Sequence, residues 1–297
     1  MVNKKMDYES QFFDQLSSER ALSNHTIATY RNALKMFKNW RKKNNLLDVS
    51  TREIQDFIIE MQKTHSRTTI HNYISALRTF FKFAVREHFV SSAPTDELAL
   101  PKLEKLLPKI LTITQIKMLI QAPMRALQAG LITRNIALRD SMIIELFYGT
   151  GMRISELQKI LLSDIDFSNR TIKVLGKGNK ERICPFSLAT EQAILRYRDE
   201  YPLAMDDYLL KRDHKAVLSI REIQYRIKFY LKFCGLPTDL SPHTIRHAYA
   251  THLLNAGADL RLVQELLGHA NMETTQIYTH VDSAHIKNVY LHCHPHA

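Results

Sequence analysis

Apolar side chains recur at helical spacing along most of the chain. In LSNHTIATYRNALKMFKNWRKKNN, Ile27, Tyr30, Leu34 and Phe37 fall on one stripe, and Ser23 or Asn24 is placed to cap. SRTTIHNYISALRTFFKFAVREHF repeats the design with Ile70, Tyr73, Ile74, Leu77 and Phe81. Pro94, Pro101 and Pro108 then interrupt the pattern, and proline lacks the N–H that a helix interior uses. The expected organisation is a helical domain over 1–95, an extended linker over 96–109 and a larger domain over 110–297. That second domain is helical with one exception. TIKVLGKGNKERICPF has two short runs around a Gly-Lys-Gly-Asn turn, a β-hairpin signal with Lys177 at its tip. Helices resume after it, and the last holds NMETTQIYTH with Asn271 as its cap. The pattern predicts a mainly α protein.

Basic stripes run beside the apolar ones: Arg31, Lys35, Lys38 and Lys42 on the first helix, and Arg67, His71, Arg78 and Lys82 on the second. A single basic stripe is an ordinary solvated face. Two of them, with Thr and Asn interspersed, point to a surface that tracks phosphates. The formal net charge of +11 over 297 residues favours a polyanionic partner, although a solvated basic surface accounts for it equally well. Cys184, Cys234 and Cys293 are far apart and form no C-x-x-C pair, as in a reduced cytosolic protein. No run approaches the roughly 20 apolar residues of a membrane span, and the start has no apolar run of signal-peptide length. The expected location is the cytoplasm, without membrane insertion.

SPHTIRHAYATHLL, residues 241–254, gathers three histidines and an arginine within ten residues. Ser241 suits an N-cap and Pro242 a first helical position. His243, Arg246 and His247 then lie within one turn, where free backbone N–H groups and the helix dipole favour an anion. Zinc is the rival, because His243 and His247 have H-x-x-x-H spacing. However, Thr244 stands where the metalloprotease motif needs its glutamate, and Arg246 would set a fixed charge beside the metal. His252 falls with Ile245, Ala248, Tyr249 and Ala256, so it reads as a packed core histidine.

An anion site on a basic protein suggests a phosphate. A phosphodiester undergoing displacement builds charge on its non-bridging oxygens, which planar guanidinium groups clamp well. Such a site needs a second arginine, a proton donor for the leaving oxygen and a nucleophile. Arg153 in GTGMRISEL, Lys177 on the hairpin, and His269 and Tyr278 in LLGHANMETTQIYTH are the candidates. Each has a plain alternative: a surface arginine paired with Glu156, a turn lysine, a histidine after a glycine helix stop, a packing tyrosine. GKGNK is not the phosphate loop of nucleotide-binding proteins.

GTGMRISEL, VLGKGNKER, HTIRHAYATHLLNAG and LLGHANMETTQIYTH, in that order, resemble the signature of the tyrosine recombinases, site-specific DNA integrases. The family's catalytic Arg, Lys, His-x-x-Arg, His and Tyr fall on Arg153, Lys177, His243, Arg246, His269 and Tyr278, and its accessory acid on Glu156. The resemblance covers nearly the whole chain. It implies a four-helix, SAM-like core-binding domain followed by a mainly helical catalytic domain with a small β-sheet. On this resemblance, the added arm-binding domain of larger phage integrases is not expected here. With the ending HIKNVYLHCHPHA, where His296 replaces a customary arginine, that makes the Xer branch the nearest match.

What the resemblance implies is a metal- and cofactor-free reaction. Tyr278 attacks the scissile phosphate, leaving a 3′-phosphotyrosine and a free 5′-OH. Arg153 and Arg246 hold the non-bridging oxygens, His243 manages the tyrosine proton, His269 hydrogen-bonds the phosphate and Lys177 protonates the leaving oxygen. Four protomers, as a homotetramer or with a second Xer recombinase, exchange strands on duplex DNA through a Holliday junction. The expected role is resolution of chromosome or plasmid dimers at cell division, with a septal DNA translocase as a further partner. A mobile-element integrase or invertase is the alternative within the family. Outside it stand a non-catalytic DNA-binding protein, a type I topoisomerase and a zinc hydrolase. Ile286, Val289 and Tyr290 share an apolar face, which the resemblance would dock into a neighbouring protomer.

Overall fold

Ser50 and Ser66 each begin a helix by accepting a hydrogen bond from the backbone N–H three residues on, at 3.2 Å in both cases. Glu53 returns the favour to the Ser50 N–H at 2.9 Å, completing a reciprocal cap. The computed structural model describes residues 8–18, 22, 24–98, 110–176, 181–212, 216–268 and 289–295. The chain divides into two units, Met1–Leu106 and Leu107–Ala297.

The first unit holds α1 (Tyr8–Ser18), α2 (Asn24–Arg41), α3 (Thr51–Gln62) and α4 (Arg67–Arg86). The apolar stripe read from the sequence, Ile70, Tyr73, Ile74, Leu77 and Phe81, is buried on α4, and Phe80 joins it there. Aromatic rings fill much of the core, with Phe12 edge-on to Phe80 at 5.3 Å and Phe37 edge-on to Phe57 at 5.0 Å. Residues 99–109, most of the expected linker, lie outside the described residues.

The second unit is arranged around α6 (Arg134–Thr150). Its start at Arg134 is exposed, but the largely apolar MIIELFYGT further along is buried throughout from Met142 onward. Around it pack α5 (Ile113–Gln128), α8 (Leu188–Glu200) and α10 (Pro242–Asn255). The hairpin expected from TIKVLGKGNKERICPF is present as β2 (Thr171–Leu175) and β3 (Glu181–Pro185), paired antiparallel with Ile172 opposite Cys184. A short β1 (Ile165–Asp166) extends it to three strands, and β4 (Lys211–Arg212) with β5 (Ala216–Val217) forms a second small sheet. The pattern did not show these short strands, because two residues carry no readable period. The remaining helices are α7 (Ile154–Leu157), α9 (Ile220–Phe233) and α11 (Leu260–Leu267).

Residues 289–293 are helical. Tyr290 is fully buried in the core of the second unit, and His294 packs on Tyr148, Tyr249 and Tyr290. His294 Nε2 lies 3.0 Å from the Tyr148 carbonyl oxygen. In this single chain the apolar face expected to seek a neighbour covers its own domain instead. The physical reason is that α6 and α10 offer an aromatic cleft within reach. Ile286 lies outside the described residues.

Candidate active site

Main-chain geometry brings the site together. Helix α6 ends at Gly151, whose φ of 61° is the left-handed conformation that glycine adopts freely. A β-carbon there would lie 2.5 Å from the Tyr249 ring of α10. The close approach places Arg153, two residues on, beside α10 and β3. Helix α11 ends on Gly268, also left-handed, where a β-carbon would sit 3.0 Å from Arg182 Cδ.

Three arginines converge on the end of α11. Arg182 Nε donates to the Leu266 carbonyl at 3.2 Å, Arg246 Nη2 to that of Leu267 at 2.6 Å and Arg153 Nη2 to that of Gly268 at 3.1 Å. These are carbonyls a helix end leaves without intrahelical partners, at the negative pole of its dipole. Arg246 also donates from Nη1 to the Gly151 carbonyl at 2.6 Å.

Glu156 lies between two of the arginines. Arg182 grips it with both terminal nitrogens at 2.8 Å. Arg153 reaches it with Nη1 at 2.8 Å and with its backbone N–H at 2.7 Å. Burial would raise the carboxyl pKa, but the hydrogen bonds from Arg182 and Arg153 outweigh it and hold the group down at about 2. Arg246 moves the other way. Burial, then the charges of Arg153 and Arg182, pull it down to about 10, so it is still a cation at neutral pH. Its neighbours repel it, and an arriving anion would relieve that repulsion. That is the electrostatics of a phosphate site.

A stability consequence follows for Glu156. Its folded pKa lies below the ordinary value of 4.5, so its contribution is full above 4.5 and fades as pH falls toward 2. Glu156→Gln should cost on the order of 3 kcal/mol at pH 7. Urea unfolding of both proteins between pH 7 and pH 2.5 should show the gap closing below 4.5, and a gap independent of pH would contradict the pairing.

The helix face read from SPHTIRHAYATHLL is divided in the structure. His243 and His247 are exposed, while Arg246 turns inward and is 9% exposed. Ser241 donates its N–H to Thr244 Oγ1 at 3.2 Å, and its side chain makes no cap bond. His252 is the buried histidine its position predicts, with Nδ1 3.0 Å from Tyr148 Oη. Lys177, His269 and Tyr278 lie outside the described residues, as does Asn271. The structure therefore brings Arg153, Glu156 and Arg246 together with His243 on the same helix, and leaves the other three without a described position. Among the described residues, no group of three or more His, Cys, Asp or Glu side chains is placed to hold a metal ion.

Two potential nucleophiles sit beneath the arginines and neither is activated. Cys184 is fully buried, and burial pushes its thiol up to about 11. Tyr249, behind Gly151, is raised well above its usual value by burial.

The sequence-predicted basic stripes are mixed in their surroundings. Lys38 is ion-paired with Glu9 at 2.7 Å, Arg31 lies over the Phe13 ring at 4.0 Å and Arg78 donates to the Leu98 carbonyl. His71 is half-buried, and Lys35, Lys42, Arg67 and Lys82 are exposed. Sequence reasoning missed two features. Arg182, within KGNKERICPF, passed as an ordinary strand residue. Helix α9 presents Arg221, Gln224, Tyr225, Lys228 and Lys232 outward over buried Ile223, Ile227, Tyr230 and Leu231, with Tyr225 at 69% exposure. The period of its basic residues was the available signal.

This architecture is that of the phage integrases. The phage integrase family matches residues 109–285, and the phage integrase N-terminal SAM-like domain matches residues 10–88. Tyrosine recombinase XerC of Listeria monocytogenes serotype 4b (strain F2365) is 38% identical over 301 residues, covering 97% of this chain and 98% of that protein. Tyrosine recombinase XerC of Thermodesulfovibrio yellowstonii is 37% identical over 302 residues, covering 97% and 96%. The XerH site-specific recombinase bound to difH substrate, in its pre-cleavage complex, shares the fold at a TM-score of 0.66 and 24% identity, over 94% of this chain and 82% of that one. The chain belongs to the tyrosine recombinase family, the phage integrases: it is a site-specific recombinase that cleaves and religates DNA. Among the described residues no helix is long and apolar enough to cross a membrane.

Proposed function

We propose that this recombinase joins two copies of one DNA site through a tyrosine-linked intermediate, and that its biological task is to resolve chromosome or plasmid dimers in the cytoplasm. The observation that carries the reading is the convergence of Arg153, Arg182 and Arg246 on the end of α11, two of them held by Glu156, with no activated nucleophile among the described residues beside them. Tyr278, eleven residues beyond α11, supplies the nucleophile. Its oxygen displaces the 5′ oxygen of the scissile phosphodiester and forms a 3′-phosphotyrosine, so the bond energy is kept for religation. His243 takes up the phenol proton, which at an ordinary pKa of about 10 is bound at pH 7. Arg153 and Arg246 hold the non-bridging oxygens as charge builds on them, and His269 adds a hydrogen bond. Lys177 returns a proton to the departing 5′ oxygen.

The exposed faces of α2 and α4, with Lys35, Lys42, Arg67 and Lys82, track the backbone of the duplex, and α9 adds Arg221, Lys228 and Lys232. Four protomers assemble on two sites, alone or with a second Xer recombinase, and a septal DNA translocase brings the sites together. The match to relatives named XerC over nearly their whole length supports a recombinase of the Xer branch. Residues 1–95 serve as the core-binding domain, 96–109 as the linker and 110–297 as the catalytic domain.

The test begins with random duplex DNA, from which the protein selects its own site by forming an adduct that resists detergent. Two copies of that site in one plasmid should then resolve into two circles without ATP. Binding without any adduct would reduce the chain to a DNA-binding protein. Relaxation of plasmids without exchange between sites would make it a topoisomerase.

A further inference from the structure

Arg182 is a largely buried cation to which the reaction described above assigns no step. Its side chain is 12% exposed and its bonds are all internal. Both terminal nitrogens bind Glu156, and Nε binds the Leu266 carbonyl. A carboxylate offers about four acceptor positions on its two oxygens. On Glu156 all four are taken: Oε1 by Nη1 of Arg153 and Nη1 of Arg182, Oε2 by the Arg153 N–H and Nη2 of Arg182. Were Arg182 absent, the carboxylate could turn onto Arg153 and grip it with both oxygens, the geometry a carboxylate prefers with a guanidinium. Arg153 would then be neutralised and aimed at Glu156 rather than at a phosphate.

We infer that Arg182 is a positioning residue for strand cleavage: by filling half of Glu156's acceptor positions it leaves the Arg153 guanidinium with one bond to that carboxylate and available to the phosphate. Through Leu266 it also fixes the end of α11, one residue before the carbonyl that Arg246 takes and two before the one that Arg153 takes. The Arg182 stem passes close to Gly268, where a β-carbon would sit 3.0 Å from Cδ. The inference rests on the tyrosine-linked reading proposed above.

The experiment is single-turnover adduct formation at saturating half-site DNA, with binding measured separately. The unaltered protein is measured first, and if it forms no adduct the tyrosine-linked reading falls and takes this inference with it. Given adduct formation, Arg182→Met should slow cleavage about 10- to 100-fold while the half-site Kd stays within about twofold. Arg182→Lys should fall between, because one ammonium cannot bridge both oxygens and reach Leu266. The double variant Glu156→Gln/Arg182→Met should be no slower than the slower single variant, since the two residues act as one unit. A cleavage rate at the parent level in either Arg182 variant, a loss confined to Kd, or multiplicative losses in the double variant would each overturn the inference. If Arg182→Met does not fold by circular dichroism, Arg182→Lys decides alone: slowed cleavage with unchanged Kd supports the positioning role, and an unchanged rate overturns it.

Discussion

Tyr278→Phe is expected to abolish the covalent DNA adduct, with a loss of at least about 10⁴-fold in cleavage, and to leave half-site binding intact. Phenylalanine keeps the ring and removes the attacking oxygen. No described neighbour of the arginines can take over. Cys184 is sealed in the core as a neutral thiol, and Tyr249 is locked behind Gly151 with its phenol held protonated by burial. Detergent-resistant adducts and gel shifts on the same preparations separate chemistry from binding. An adduct that persists in the variant would move the nucleophile elsewhere and overturn the proposed reaction.

Arg246→Lys should be the next most damaging change, lowering single-turnover cleavage about 10²- to 10³-fold at neutral pH. The guanidinium spans two carbonyls, Gly151 and Leu267, that lie at the ends of two different helices, and it has further donors left for a phosphate. An ammonium group is a point charge and cannot serve both carbonyls with that geometry. One buried carbonyl left without its partner should cost about 1–3 kcal/mol in urea unfolding. The two measurements distinguish the roles. A variant that loses stability yet cleaves at the parent rate would make Arg246 a structural tie and nothing more.

Much of this was legible in the sequence where a residue's role depends on its near neighbours. The apolar stripe of α4 and the pairing of β2 with β3 are local, and periodicity or turn chemistry displays them. The order of the four motifs pointed to the reaction class before any geometry was available. What the pattern could not show depends on distant partners. Lys38 reads as a solvated lysine until Glu9, 29 positions away, is found 2.7 Å from it. Arg182 looks like any exposed strand residue, because its partners come from α7 and from the end of α11, 26 and 84 positions away. Arg246 was placed correctly on α10, but helical spacing alone cannot tell whether a residue at the border of two faces turns outward with His243 or inward toward Gly151. Helix α6 is buried on every side from Met142 onward and so gives no single face to read, and its central place in the second unit emerges only from packing.

The contact between Gly151 and Tyr249 bears on how this enzyme can change over time. Tyr249 lies three residues after Arg246 on α10, and Gly151 two residues before Arg153. The spacing between the two cations therefore depends on how near α10 can come to the end of α6, which the size of residue 151 limits. That makes the spacing a property of the backbone, out of reach of gradual tuning through the cations themselves. A change at a surface side chain away from this contact therefore leaves the spacing of the two cations as it is.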